Sequence, residues 1–571
     1  MMLRTPGLLL ALIVISASAC RSDGAEPPTP EIAVNTVGFL PDAPKAATIA
    51  RRCDRFAVVD AATGEVAFAG AAMPHPAGGG SDSTAWIADF SVLQTPGRYR
   101  VRVDGVGASP PFSISRSAWN RPFYLAMRGM YLWRCGMAVR DNSLGIEFVH
   151  AACHLDDARL DHVDPTQPGK AAPGVGGWHD AGDYNKYVVN GAFTAGMMLQ
   201  AWLQFEHALA PLDLQLPDGD PTLPDFLEEV KWEIDWLLSM QAADGRVYHK
   251  LSTEDFGGFI LPEQETAPRF FCPWGSAATA DLVAIAALAS RVYRPYDADF
   301  ADRCLAAARL SHGFLQAHPD DHRPDQSAFT TGRYDSPDAD DRLWAAAELW
   351  AATGEATYRQ SYEECVLSPP ARGGRSRSRP PSIVDDLWDW GNVANLAAYT
   401  YLLAERPDRD PQVVTKLRNA LRASADRLLL AAQNHPYART HGERYYWGCN
   451  GGIARQTMTL MLAYRLTRQA EYRRAAQQSL AYLFGRNPYA RSFVTGVGFN
   501  PPRFPHDRRS GGDAAEAPWP GYLVGGPWPT ENDWHDDQDD YRTNEIAVNW
   551  NGALIYALAA FVEPDTFDAA N

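Results

Sequence analysis

The chain has 571 residues, which is enough for two or three domains. Hydrophobic residues make up 46% and charged residues 21%, ordinary globular values that exclude wholesale disorder and a fibrous structure. Asp and Glu number 69 against 52 Lys and Arg, so the net charge is −17. An acidic surface of this kind argues against a nucleic-acid partner, because phosphates would repel it.

The first twenty residues have the pattern of an export signal. Arg4 gives a positive start, residues 8–15 are apolar, and small residues precede Cys20. The apolar run is too short for a membrane-spanning helix. Small residues before a cysteine resemble a bacterial lipoprotein box, so we expect a lipid on Cys20 that anchors the exported protein to the outer membrane or cell surface. The alternative is an ordinary secretory signal, which would leave the protein periplasmic or secreted.

A small β domain is predicted after a short tether. Residues 21–30 contain three prolines and are predicted to be the tether. Residues 31–115 contain short runs with strand character, such as 56–59 and 98–103, separated by Gly-containing turns. This spacing is typical of an all-β sandwich.

Helical periods dominate from residue 117 to about residue 565. Helices are predicted at 223–241, 276–292, 301–318, 341–353, 393–405, 412–433, 452–467, 471–485 and 547–562. Many helices without strand runs predict an all-α domain in which successive helix pairs close into a toroid, with loops at one end forming a cleft. The Arg- and Pro-rich segment 368–382 is predicted to be a solvated surface insertion.

Three loop segments hold the side chains best suited to chemistry. A Gly-rich loop places Asp180 and Asp183 three residues apart, and two such carboxylates can share one water, with one acting as base. The acidic segment 534–545 ends on Glu545 at the entry to an apolar helix, where a carboxyl can be desolvated and stay protonated. Residues 494–509 form a Pro-braced loop that offers donors to hydroxyl groups. Each segment alone is also typical of a solvated or structural loop.

Taken together, the three segments resemble glycoside hydrolase family 9. The family pattern Gly-x-Asn followed by Pro-His-x-Arg is found at 498–508, and the pattern aromatic-x-Asp, aromatic, Glu is found at 534–545. Gly552 stands where Ser, Thr or Ala is usual. The predicted sandwich, including residues 34–39, resembles the immunoglobulin-like module of one branch of this family. The resemblance implies a mainly α protein, an (α/α)6 toroid preceded by a small all-β immunoglobulin-like sandwich.

The activity implied by the resemblance is inverting hydrolysis of β-1,4-glucosidic bonds in cellulose-like or mixed-linkage β-glucans, an endoglucanase activity. In this role Asp183 is the general base, Asp180 is its partner on the water, and Glu545 is the general acid. Inversion implies that the carboxyls of Asp183 and Glu545 lie about 6.5–9.5 Å apart. Further contacts to the sugar are implied for His506, Arg508, Tyr541, Trp447 and Trp178. For the three aromatic residues, packing beneath the cleft is the alternative.

Four residues have the composition of a zinc site. Cys135, Cys153, His154 and His179 supply soft thiolate and imidazole ligands. Their spacing resembles the zinc site of the same family branch. Four protein ligands leave no position for a water, so the zinc is expected to be structural and to hold the loop that carries the aspartates. The alternatives are a Cys135–Cys153 disulfide and free buried thiols.

A second, calcium-binding site is expected from resemblance. Ser336, Asp340 and Asp341 resemble a family loop that binds calcium through oxygen atoms. Asn392 stands where the family usually has a carboxylate, which weakens the site. The alternative is a solvated acidic loop.

Other functions stay open on the sequence alone. The same family contains exo-acting enzymes, so the protein could be an exo-cellodextrinase or an exo-glucosaminidase. A binding protein with an inactive site and a zinc-dependent hydrolase of another class are the remaining hypotheses. The chain is predicted to act as a monomer.

Overall fold

The computed structural model describes residues 28–76, 84–217, 219–368 and 383–567. The predicted signal, Cys20 and most of the tether lie outside the described residues, as does the Arg-rich insertion except for Ser368. Within the described part of the chain, no helix has the length and apolar character needed to cross a membrane.

The N-terminal domain is a sandwich of two sheets. Its strands are β1 (Ile32–Ala33), β2 (Gly38–Phe39), β3 (Ala46–Ile49), β4 (Arg55–Asp60), β5 (Val66–Ala71), β6 (Met73–Pro76), β7 (Thr84–Asp89), β8 (Gly97–Val103), β9 (Gly107–Ala108) and β10 (Phe112–Ile114). One sheet has the order β1-β3-β7-β6, and the other has the order β2-β10-β8-β4-β5 with β9 beside β8. Alternate residues point inward, so Ile49, Val58, Val101 and Phe112 form a core of their own between the sheets.

Helices build the second domain. They are α1 (Asn120–Leu132), α2 (Val188–Leu209), α3 (Asp225–Ser239), α4 (Ser276–Val292), α5 (Ala298–Ala317), α6 (Ala339–Thr353), α7 (Ala356–Leu367), α8 (Ala394–Leu403), α9 (Pro411–Gln433), α10 (Cys449–Thr467), α11 (Ala470–Leu483), α12 (Arg508–Gly512), α13 (Tyr541–Asn544) and α14 (Val548–Ala559). Short strands occur in its loops: β11 (Val139–Asp141), β12 (Phe148–His150), β13 (Lys186–Tyr187), β14 (Lys250–Ser252) and β15 (Phe270–Phe271).

The long helices form two concentric rings. Helices α2, α4, α6, α8, α10 and α14 form the inner ring, and α14 packs back on α2 to close it. The Tyr399 hydroxyl on α8 lies 2.7 Å from that of Thr459 on α10. Helices α1, α3, α5, α7, α9 and α11 pack outside this ring. The predicted (α/α)6 toroid is confirmed.

Three helices of the toroid were not among those predicted from periodicity: α1, α2 and α7. The sequence of α2 has no polar face, because an inner helix is buried on all sides and its apolar residues do not recur with the helical period.

The sandwich rests on the side of the toroid through one of its sheets. Thr48 lies on β3 with its hydroxyl donating to the Pro436 carbonyl at 2.7 Å, and the Arg486 Nε donates to the same hydroxyl at 3.1 Å. The Thr36 hydroxyl donates to the Phe484 carbonyl at 2.7 Å. Ile49 and Ala47 point into the sandwich core, so the opposite side of this four-stranded sheet faces the toroid.

Candidate active site

The loop that carries Asp180 and Asp183 is held by main-chain contacts on two sides. The Val548 amide at the start of α14 donates to the Asp180 carbonyl at 2.7 Å, and the Arg508 amide donates to the Gly182 carbonyl at 3.0 Å. Gly182 comes so close to the neighbouring segment that a Cβ atom there would lie 2.2 Å from the His506 carbonyl oxygen. The three segments predicted to be functional are therefore locked together at one end of the toroid.

Both aspartates are buried and fixed by hydrogen bonds. The Asn190 amide donates to Asp180 Oδ1 at 2.6 Å, and the Tyr334 hydroxyl donates to Asp180 Oδ2 at 2.7 Å. The Asn185 amide donates to Asp183 Oδ2 at 2.6 Å.

Burial raises the pKa of both aspartates, but the charges next to them differ. It raises the pKa of Asp180, and the neighbouring Asp183 carboxylate raises it further. Burial also raises the pKa of Asp183, but the Arg508 guanidinium and the Asn185 amide lower it. Two such groups titrate as a pair, and the one beside the cation keeps its charge more easily. This electrostatic asymmetry favours Asp183 as the ionised member of the pair.

Glu545 has the opposite character. It lies between α13 and α14 in extended backbone, and its carbonyl accepts from the Gly525 amide at 2.9 Å. Burial raises its pKa well above the usual value, and the carboxylates of Asp183 and Asp180 add to this effect. A carboxyl in these surroundings holds its proton more tightly than a solvated one and can donate it to a bound group.

The three carboxyls line one open cleft of about 660 Å³. The other residues around it include Tyr187, Phe256, Arg333, Tyr334, Asp389, Trp390, Tyr446, Trp447, Arg455, Asn549 and Trp550. Aromatic rings next to carboxyls and an arginine suit a sugar, which offers an apolar ring face and a rim of hydroxyls.

Two residues of the segment 494–509, His506 and Arg508, lie beside this cleft. His506 is held through Nδ1, which donates to the Gln538 carbonyl at 2.7 Å. Its ring packs against Phe259 and Tyr541, with centroids 5.3 and 6.0 Å away. The Arg508 Nε donates to the Gly257 carbonyl at 3.1 Å, which fixes the guanidinium near Asp183 and Glu545.

The predicted aromatic contacts divide into two kinds. Trp447 is 48% and Tyr541 47% exposed, and their rings meet edge to face with centroids 5.6 Å apart. Both can offer a face to a sugar. Trp178 is 2% exposed, and its indole N–H donates to Glu229 at 2.9 Å inside the domain. It does not line the cleft, so packing is its role and the expectation of sugar stacking was wrong for this residue.

Several residues of the site were not predicted from the sequence. Tyr334 and Asn190 fix Asp180, and Asn185 fixes Asp183. Tyr334 lies just before the loop expected to bind calcium, far in sequence from Asp180, and nothing in its surroundings indicated that it would reach that carboxylate. Asn190 and Asn185 stood next to a recognised motif, where a buried carboxylate needs donors, and that need could have identified them.

The four cysteines and histidines expected to hold a metal lie together. Their ligand atoms are all within 4.8 Å of one another and all four residues are buried. Cys135 Sγ lies 3.7 Å from His154 Nδ1, and Cys153 Sγ lies 3.8 Å from His179 Nε2. Sulfur and nitrogen ligands of one tetrahedral zinc ion lie about 3.6 Å apart. Both thiols are free, so the alternative of a Cys135–Cys153 disulfide is wrong. The residues therefore form a possible metal site.

The loop expected to bind calcium contains buried oxygen atoms without partners. The Ser336 hydroxyl, both carboxylate oxygens of Asp341 and the Asn392 carbonyl oxygen have no hydrogen-bond partner among the described residues. Asp340 is also buried, and one of its oxygens accepts from the Val393 amide at 2.6 Å. Asp281 on α4, which the sequence did not single out, lies beside Asp341, and no N–H or O–H group of the described residues other than a proton shared between the two carboxyls reaches them. Burial and the nearby negative charge raise the pKa of both.

Comparison with known proteins agrees with this architecture. The profile of glycosyl hydrolase family 9 matches residues 119–558, and that of the cellulase N-terminal ig-like domain matches residues 27–108. The chain is 48% identical over 534 residues to Endoglucanase D of Acetivibrio thermocellus, covering 93% of this chain and 83% of that protein. It is 32% identical to the xyloglucan-specific endo-beta-1,4-glucanase BoGH9A of Bacteroides ovatus, over 98% of this chain and 97% of the relative.

A solved structure gives the same result. The crystal structure of a Zn-binding triple mutant of the family 9 endoglucanase J30 superposes with a TM-score of 0.83 at 32% identity, covering 92% of this chain and 100% of the other. The matched profile spans the whole helical domain, and the residues of its three motifs meet in one cleft. The chain therefore belongs to glycosyl hydrolase family 9 and carries the cellulase-type ig-like domain in front of its catalytic toroid.

Proposed function

We propose that the protein is an inverting endo-β-1,4-glucanase that hydrolyses cellulose-like or mixed-linkage β-glucans. The observation that carries this proposal is the electrostatic contrast within one cleft. Burial and the neighbouring carboxylates raise the pKa of Glu545 and so favour its protonated form, while Arg508 biases Asp183 toward the charged form. An acid and a base of this kind are what glycoside hydrolysis requires.

In the reaction, the exposed rings of Trp447 and Tyr541 hold the glucan by stacking. Glu545 donates its proton to the glycosidic oxygen as the bond to the anomeric carbon breaks. Asp183 takes a proton from the attacking water while Asp180, fixed by Tyr334 and Asn190, orients that water. The water attacks from the face opposite the leaving group, so a β-linked substrate releases the α-anomer first.

Three measurements test the activity and its alternatives. Proton NMR before mutarotation should show the α-anomer first, and β-anomer appearing first would contradict both the residue roles and inversion. Viscosity of a soluble β-glucan should fall early relative to the release of reducing ends, because internal cuts shorten chains most. Slow viscosity loss with steady sugar release would instead indicate the exo-acting alternatives, and product analysis on cellohexaose beside chitosan oligomers would separate a cellodextrinase from a glucosaminidase.

The two other hypotheses fit the site less well. A binding protein with an inactive site would not need all three carboxyls on the cleft, yet Asp180, Asp183 and Glu545 all line it. A zinc-dependent hydrolase needs an open metal position, whereas the cluster of Cys135, Cys153, His154 and His179 already offers four ligands.

We assign zinc to this cluster as a structural ion. Two thiols and two imidazoles suit zinc, and the distances between their atoms agree with a tetrahedral set. Glu265 Oε2 lies 3.3 Å from His154 Nε2, so this carboxylate can orient the ring while Nδ1 faces the cluster. His179 immediately precedes Asp180, so the bound ion would hold the catalytic loop in place.

We also propose that calcium binds between Ser336, Asp340, Asp341 and Asn392. Buried oxygen atoms without partners are costly, and a hard cation with oxygen ligands would satisfy them. The unpartnered Asp281 carboxylate adds negative charge beside Asp341. Added calcium should raise the melting temperature of the chelator-treated protein and should not do so for an Asp341→Asn variant. An equal effect on both proteins would exclude the site.

The place of action is a further proposal. The sequence of residues 1–20 supports export, and Cys20 supports a lipid anchor at the outer membrane or cell surface. Mass spectrometry of the protein from membranes would detect the lipid on Cys20, and a soluble mature chain lacking it would leave secretion or a periplasmic location. We expect the protein to be a monomer, which sedimentation would test.

A further inference from the structure

The two sheets of the sandwich have different surroundings. The four-stranded sheet faces the toroid through Thr48. Most of the outward side of the other sheet points away from the toroid, and its strands β5 and β8 alternate between exposed and less exposed positions. At one edge of this side, Arg98 and Ser113 line a groove with Leu125 and Phe499 of the toroid. The rest of this sheet face is open.

Four arginines lie on this open face. In β8, Arg98, Arg100 and Arg102 alternate with the buried residues of the sandwich core. Arg102 pairs with Ala57 of β4, and Arg55 lies two residues before Ala57 on the same side. We call Arg55, Arg98, Arg100 and Arg102 the arginine face.

The arginine face is not neutralised by the described part of the protein. The ion pairs formed by sandwich residues involve Arg51, Asp42 and, next to the sandwich, Arg116. The positions paired with Arg102, Arg100 and Arg98 on the neighbouring strands are uncharged: Ala57, Val59 and Ser113. One acid, Asp104, follows Arg102 by two residues in the turn after β8. Like charges side by side on a sheet are destabilising, so this concentration in a chain of net charge −17 points to an anionic partner. Acidic groups elsewhere are screened beyond about 8–10 Å at ordinary ionic strength.

The chain enters the sandwich at the arginine face. Pro28 pairs with Ala108 of β9, and Ala108 pairs with Arg102 of β8. Adjacent strands lie about 4.8 Å apart, so Pro28 is about 10 Å from the strand that carries three of the arginines. Cys20 precedes Pro28 by eight residues, which span at most about 28 Å when fully extended. A lipid on Cys20 would keep this face within that distance of the bilayer.

We propose that the arginine face docks on the anionic phosphate headgroups of the membrane that holds the Cys20 lipid. The inference rests on the lipid anchor proposed above for its biological setting, although the electrostatic surface is tested separately. The tether would make docking intramolecular and so add to the contact that the arginine face makes on its own. The toroid lies on the opposite sheet, so docking directs the catalytic domain away from the lipid and toward the glucan.

The experiment uses the full chain with Cys20→Ser, which removes the anchor and leaves the surface alone. Binding to phosphatidylcholine vesicles with and without phosphatidylglycerol is measured by co-sedimentation at about 0.1 M salt, where the Debye length is about 10 Å. In this background, R55S/R98S/R100S/R102S is compared with R418S/R422S/R468S/R474S, which removes the same charge from exposed positions on the toroid. Hydrolysis of a soluble β-glucan checks that both variants are folded.

We expect the parent chain to bind only the anionic vesicles. Its affinity for them should fall about fivefold for each arginine removed from the arginine face. The toroid variant should bind as the parent protein does. Equal binding of the two variants, or no binding of the parent chain, would overturn the proposal. Strong binding to polygalacturonate without binding to vesicles would also overturn it, in favour of an acidic polysaccharide. If the protein from cells carries no lipid on Cys20, the proposed anchor is wrong. Binding of the Cys20→Ser chain to vesicles tests the arginine face by itself.

Discussion

The contact between Gly182 and the His506 segment predicts that Gly182→Ala removes most of the activity. A Cβ atom at residue 182 would lie 2.2 Å from the His506 carbonyl oxygen and 3.1 Å from its carbonyl carbon. Backbone meets backbone there, so no side chain can rotate away, and one segment must shift by about 1 Å to reach ordinary contact. Displacing a catalytic group by about 1 Å costs about a hundredfold in rate, and overpacking costs about 1–3 kcal/mol of stability.

The assay is the kcat on cellohexaose together with the melting temperature. Gly258→Ala is the matched control. Gly258 follows Gly257, whose carbonyl accepts from Arg508 Nε, and a Cβ atom at residue 258 would meet nothing within 4 Å. We expect a loss of about a hundredfold for Gly182→Ala and near-parental activity for Gly258→Ala. Equal activity of the two variants would refute the argument that close approach at residue 182 sets the catalytic geometry.

Three further predictions concern the carboxyls and the metal. Glu545→Gln should slow hydrolysis of cellohexaose much more than that of aryl cellobiosides with good leaving groups, because an activated leaving group departs without a proton; equal losses on both would contradict the acid role. The pH profile of kcat/KM should have an acidic limb from Asp183 above the usual aspartate range and an alkaline limb from Glu545, since burial raises the pKa of both and activity needs Asp183 charged and Glu545 protonated. The alkaline limb should be absent in Glu545→Gln assayed on the aryl substrate. Prolonged chelation should release one zinc per chain and lower the melting temperature, and activity should fall to the same extent. The Cys153→Ser variant should already have the lower melting temperature, and chelation should not change it further. Zinc loss without a change in melting temperature would exclude a structural role.

Sequence reasoning succeeded where a residue type and its place in the chain imply one chemical use. Glu545 was expected at the entry to an apolar helix, and it does lie just before α14 with a raised pKa. The thiols and imidazoles of the metal site were expected to meet although 44 positions separate Cys135 from His179, and they lie within 4.8 Å. In these cases burial of a charged or soft side chain leaves few structural options.

Sequence reasoning was weaker where packing decides which way a side chain points. Trp178 stands two residues before Asp180 in the sequence, yet its backbone and indole N–H groups donate to Glu233 and Glu229 inside the domain. A tryptophan beside a catalytic motif can point either way, and only the fold shows which. Tyr334 is 154 positions from Asp180, and its hydrogen bond to that carboxylate depends on how two distant loops meet.

The charge of each group in this site depends on how the three segments pack against one another. Asp180 and Asp183 come from one loop, Arg508 from a second and Glu545 from a third, and each is buried by the other two. Arg508 lowers the pKa of both Asp183 and Glu545, but Glu545 also faces two aspartates that oppose this effect. Moving the guanidinium away would therefore raise the pKa of both groups, so that Asp183 would be charged in a smaller fraction of molecules and Glu545 would give up its proton less readily. The main-chain bond from Arg508 to Gly182 and the side-chain bond from Arg508 to Gly257 keep it in place. The close approach at Gly182 therefore helps to place Arg508, and the position of Arg508 in turn affects the pKa values of Asp183 and Glu545.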